Sequence, residues 1–191
     1  MRITQAAGIV TKVAKDQWAT LIALNDEEGG PNGVRITIVN EDQFNQPTPS
    51  RAAKCALEVI NGLNLENLVA EKLPVLHGAG AEPVEEEVTQ EFRDHLIPLN
   101  FDAGRYRIDV GPQGQVRLSG AFIDHARDNV FLWTLSPRND LLPTTVTDAA
   151  KLGAGMLRGL GLKDVDHGQH LVNGPDVSRV VDDMGHEVTQ Q

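Results

Sequence analysis

Three aspartate–histidine dipeptides stand out as able to do chemistry: Asp94-His95, Asp124-His125 and Asp166-His167, with His170 close behind the last. Imidazole nitrogen and carboxylate oxygen are the donor types of zinc, manganese and iron sites. Brought to one point, the pairs would bind a metal, lower the pKa of its water and support hydrolysis. No HExxH-type spacing accompanies them, and each pair falls in a different predicted element. The other reading of the same residues is a set of separate histidines at element ends. A metal-dependent hydrolase is therefore the alternative reading, and a protein without catalysis the favoured one.

Other candidate chemistry is thinner still. Gly153, Gly155 and Gly159 in KLGAGMLRGLG suggest a nucleotide loop only if they follow a strand directly. They fall inside a predicted helix instead, where small side chains allow close packing, and no cofactor is expected. Asp26, Glu27 and Glu28 lack the ligand spacing of a calcium loop. Ser119 in RLSGAF is not the centre of a GxSxG elbow. Cys55, flanked by Ala52, Ala56 and Val59 on a predicted helix, reads as core, as do Trp18 and Trp133.

The elements that must carry these residues are announced by a repeat. TDAAKLGAGMLRGLGLKDV at 147–165 echoes SRAAKCALEVINGLNLENL, 97 positions earlier. Ser50 and Thr147 are the expected helix caps, since a hydroxyl there accepts a free backbone N–H. Upstream, the same offset lays Ile9, Thr11 and Val13 over Tyr106, Ile108 and Val110, and Val34, Ile36 and Ile38 over Phe131, Trp133 and Leu135. Both copies alternate apolar and polar residues with period two, the strand signal, and no insertion is required between them. The expected fold is α+β: two similar β-β-β-α lobes, an internal duplication, with mainly antiparallel sheets.

The expected domains are a first lobe over 1–76, a small-residue linker over 77–83, a second lobe over 84–165, and an arm over 166–191. Val84, Val88, Phe92 and Leu96 sit at helical spacing, which adds a helix in front of the second lobe. In the arm, Val177, Val180, Val181 and Met184 predict a short amphipathic helix able to clamp the body or meet a partner. With Gly153 and Gly155, these are the candidate partner-binding residues.

Composition sets the remaining bounds. The formal net charge of −10 opposes nucleic acid and anionic membranes, whose binding depends on clustered Lys and Arg. No apolar run reaches the roughly 18 residues of a membrane span, no signal peptide is evident at the N-terminus, and one cysteine fits a reducing compartment. The expectation is a cytoplasmic protein (or a virion protein, if phage-encoded) that binds other proteins as an adaptor, chaperone-like factor or structural subunit of a virion or secretion machine. A homo-oligomer or larger assembly would suit it.

Overall fold

The structure, a computed structural model, describes residues 2–15, 17–26, 35–39, 46–65, 72–76, 84–87, 94–137, 143, 145–164, 169–175 and 178–189. It has mixed α+β content, mostly antiparallel, with two described helices. The first three strands are β1 (Ile3–Ala14), β2 (Gln17–Asp26) and β3 (Arg35–Val39), followed by helix α1 (Pro49–Gly62) and the hairpin β4 (Lys72–Leu76) and β5 (Val84–Glu87). The chain then repeats the order with β6 (Ala103–Val110), β7 (Val116–Asp124), β8 (Asn129–Pro137) and α2 (Val146–Gly159). Short β9 (Lys163–Asp164) precedes the hairpin β10 (His170–Asn173) and β11 (Ser178–Val181).

The described strands form one sheet, ordered β11-β10-β6-β7-β8-β3-β2-β1-β4-β5, with β9 beside β6. Within each half the hairpins are antiparallel, and the strand after the helix returns parallel to the first strand of its own half. The halves join where β3 pairs β8 antiparallel, with Thr37 opposite Ser136, Ile38 opposite Leu135 and Val39 opposite Thr134.

The alternation read in the sequence has a visible cause in the second half, where Tyr106 and Ile108 are buried. In the first half it falls on the wrong phase, since Val10 is buried while Ile9 and Thr11 are partly exposed and Val13 is 43% exposed. Ile22 and Leu24 of β2, and Leu118 and Phe122 of β7, are buried and belong to one core cluster with residues of both helices. Phe101, Phe122, Phe131 and Trp133 form its aromatic centre, with successive ring centroids 5.6 to 6.3 Å apart. Side chains of this size dominate core energetics through the apolar area they remove from water. Each helix is also tied to the sheet by a buried hydroxyl. Thr20 Oγ1 donates to the Ala52 carbonyl over 2.7 Å, and Tyr106 Oη to the Ala150 carbonyl over 2.8 Å.

The helices cap two residues earlier than the sequence suggested. Thr48 and Thr145 are the N-caps, their hydroxyls accepting from Arg51 N and Asp148 N. Pro49 at the first helical position carries a preset φ and needs no amide partner there. Leu63 and Leu160 are the C-caps, and the next residues, Asn64 (φ 51°) and Gly161 (φ 74°), take left-handed backbone.

Three expectations are corrected. Val84–Glu87 is a strand, not the first turn of a helix, because it hydrogen-bonds along β4 from Lys72↔Glu87 to Val75↔Val84; Val88 and Phe92 lie outside the described residues. The C-terminal segment is not a helical arm: Ser178–Val181 pairs with His170–Asn173, and Val177 lies outside the described residues. Nor does one fixed offset carry through the first strands. Ala14 pairs with Gln17, while Val110 pairs with Val116, so the second turn is longer. The linker over 77–83 lies outside the described residues. No described helix is long and apolar enough to cross a membrane.

Candidate functional site

Helix α1 packs on β1 and β2 and helix α2 on β6 and β7, both on the side that carries Tyr106, Phe122 and Trp133, and no described helix lies on the other side. Strand pairing carries a row of residues across that face: Ile9–Leu21 in the first half, then Thr134–Ser119–Arg107–Leu171 in the second. Residues paired across adjacent strands share a face, and alternate residues along a strand return to it. Arg105, Arg107 and Asp109 therefore stand together on β6, beside Ala121, Ser119 and Arg117 of β7.

These side chains knit the strands laterally. Arg107 Nε donates to Ser119 Oγ over 3.1 Å and to Asp109 Oδ2 over 3.2 Å. Ser119 Oγ donates to the same Asp109 oxygen, and Asn173 Nδ2 reaches Asp109 Oδ1 from β10. Arg117 donates to Thr134 Oγ1 on β8. Among the described residues, three guanidinium groups and one carboxylate stand on this face of a chain of net charge −10. Between them lies a depression of about 280 Å³ lined by Arg105, Arg107, Ser119, Ala121, Leu132 and Leu171, with Gly120 in its wall. It offers cationic donors, a hydroxyl and aliphatic walls. Such a set is chemically complementary to a carboxylate flanked by apolar groups.

The Asp-His pairs are used separately. Among the described residues, no three His, Cys, Asp or Glu side chains gather closely enough to hold a metal. Asp94 and His95 are exposed. Asp124 is fully buried and accepts from the amides of Asn100 (2.9 Å) and Arg127 (3.2 Å), so it braces the turn after β7. His125 turns the other way, its Nδ1 3.0 Å from Asp102 Oδ1. Desolvation pushes the Asp102 carboxyl upward, but the backbone bond, ring bond and charge from His125 outweigh it and hold the group below the ordinary aspartate value. Asp166 and His167 lie outside the described residues. His170 is fully buried, its Nε2 2.6 Å from Asp183 Oδ1 and its ring stacked on Tyr106 at 3.8 Å. Asp183 also pairs with Arg158 of α2, which binds the C-terminal hairpin to the helix.

The candidate partner-binding residues divide similarly. Gly153 is buried against the Tyr106 ring of its own chain. Nothing stands within 4 Å of a side chain built on Gly155. Val181 is buried, Val180 partly so, and Met184 is 49% exposed at the tip of the C-terminal turn. Cys55, Trp18 and Trp133 are buried in the core, as the sequence implied. What the sequence reading missed is the arginine face. Its signal was present in GRYRIDV, where charge and apolarity alternate.

Comparison with known proteins does not supply a family: no family model, curated protein or solved structure matches the chain.

Proposed function

We propose that this chain is a non-catalytic protein-binding subunit, an adaptor, chaperone-like factor or structural component of a larger assembly, which holds a protein partner on the uncovered face of its sheet. One observation carries this reading. Both described helices pack on one side, and among the described residues the other side is more apolar than a solvated sheet face needs to be. Ile9, Leu21, Ile123 and Leu132 are only partly exposed there, while Val130 and Leu171 stand 43% and 41% exposed. Aliphatic surface with interspersed arginine is the composition of protein interfaces, where arginine is enriched and other charge depleted.

The face is widened by what we read as a tandem duplication of a β-β-β-α lobe. Three relations support this: helix caps 97 residues apart at both ends, the mirrored strand order, and a junction centred on Ile38↔Leu135, itself 97 apart. Joining two such lobes edge to edge hides β3 and β8 from solvent-side pairing.

Affinity capture of the full chain from cells that express it tests the reading. The wild type should retain a protein that a Leu132→Lys, Leu171→Lys variant loses while keeping its melting temperature. Retention of the same proteins by the variant would rule this face out.

A further inference from the structure

Building on the uncovered face as the docking surface, we propose that its occupant is an extended acidic segment of a partner protein, with alternate carboxylates set against Arg105 and Arg107. Two residues apart in β6, these arginines recur about every 7 Å along the strand, and acidic residues at alternate positions of an extended peptide share that repeat. The pair is prepared for such a ligand. Among the described residues Arg107 is held through Nε, by Asp109 and Ser119, and its two terminal nitrogens meet no acceptor. Arg105 is exposed and makes no ion pair with a described residue. A guanidinium fork so placed matches a carboxylate with two donors. Leu132 and Leu171 flank the depression and supply apolar contact for intervening side chains.

Two other occupants fit less well. A single-stranded nucleic acid has anions at a similar repeat, but its bases need aromatic platforms. The aromatic rings nearest the depression, Tyr106 and Trp133, are 3% and 0% exposed and packed on the helix side. The net charge of −10 adds long-range repulsion against a polyphosphate. A second copy laid face to face would set arginine against arginine, since Asp109 is the one described carboxylate in the patch.

Fluorescence anisotropy of a short labelled peptide of alternating glutamate and valine tests the proposal against its glutamine–valine counterpart and a labelled oligothymidylate of equal charge. The acidic peptide should bind wild type at least about tenfold more tightly than either control, and weaken as salt is raised. Arg105→Gln, which removes no bond to a described residue, and the double variant Arg105→Gln, Arg107→Gln should each lose affinity while melting like the wild type. Equal binding of the glutamine peptide would overturn the acidic specificity and leave the docking face standing. Tighter binding of oligothymidylate, or no binding of the acidic peptide, would overturn the proposal outright. The docking face itself falls only with the Leu132→Lys, Leu171→Lys capture experiment.

Discussion

The ring of Tyr106 occupies the space that a side chain on Gly153 would need. A Cβ built on Gly153 would stand 2.8 Å from three Tyr106 ring carbons, closer than real contacts permit. The ring cannot yield easily, because its hydroxyl is bonded to the Ala150 carbonyl and its other face is stacked on buried His170. Gly153→Ala should therefore destabilise the protein by about 1 to 3 kcal/mol, the usual cost of overpacking. Gly155→Ala, where nothing stands within 4 Å, should instead be neutral or stabilise by up to about 1 kcal/mol through helix propensity. Urea melts of the two variants check this. Equal effects would mean that Tyr106 does not hold the helix as described.

Thr48 and Thr145 close the first turns of the two helices, and Thr145 also donates to Asp148 Oδ2 over 2.7 Å. Thr48→Ala and Thr145→Ala should each cost about 1 kcal/mol. The caps belong to different helices and share no partner, so the double variant should lose the sum within about 0.5 kcal/mol. A chemical melt of the three variants decides it.

These caps also show where sequence reasoning stopped. The match between 50–68 and 147–165 located both helices, because burial of Ala52, Ala53 and Ala56 in one is matched by Ala149, Ala150 and Gly153 in the other. It placed the caps at Ser50 and Thr147, since hydroxyls there look equivalent and only backbone geometry selects Thr48 and Thr145. Five short strands were hidden for a different reason. Lys72–Leu76, Val84–Glu87, Lys163–Asp164, His170–Asn173 and Ser178–Val181 are two to five residues each, too short for a period of two to stand out, and pairing with β1, β6 and one another sets their conformation. The Asp-His dipeptides drew attention as pairs along the chain, whereas Asp124 ends β7 and accepts from Asn100, and His125, in the turn that follows, meets Asp102. The arginine patch was legible within β6. Its company on β7 and β10 followed only from register.

Asp183 joins β10 to α2, accepting from buried His170 and pairing with Arg158. Asp183→Asn should destabilise the β10–β11 hairpin by about 1 to 3 kcal/mol, the cost of disturbing a buried bond to a charged group. Amide exchange at Leu171, Val172 and Val180 should accelerate most, with β1 and β2 little affected. Uniform acceleration across the sheet would instead mean that the hairpin and the body open as one unit.

The turn at 182–186 should loosen in acid. Asp182 Oδ1 accepts from the amides of His186 and Met184, and these bonds, with the nearby His186 charge, hold its carboxyl below the ordinary aspartate value of 3.8. A carboxyl lowered on folding stabilises the folded turn above the unfolded value, and that contribution is lost as pH falls through the lowered one. The amide resonance of Met184 should therefore move as pH falls below 3.8. In Asp182→Asn that movement should be reduced.

Gly120 is closely confined within the sheet. A Cβ there would lie 2.2 Å from the Arg105 carbonyl oxygen and 2.5 Å from the Trp133 ring. Neither neighbour has room to retreat. The carbonyl belongs to β6, whose pairing with β7 continues on both sides of the Tyr106↔Gly120 pair, and Trp133 is fully buried against Phe122. Gly120→Ala should therefore cost at least the roughly 1 to 3 kcal/mol of overpacking and lower the melting temperature by several degrees in a chain this long. Because Gly120 and Trp133 share the wall of the depression, the same change should disturb the indole. In a Trp18→Phe background, where Trp133 is the only tryptophan, its emission should shift to the red as water gains access. Unchanged melting and emission would mean that the strands relax around the added methyl, and that the close β6–β7 approach forming the depression is not fixed by glycine.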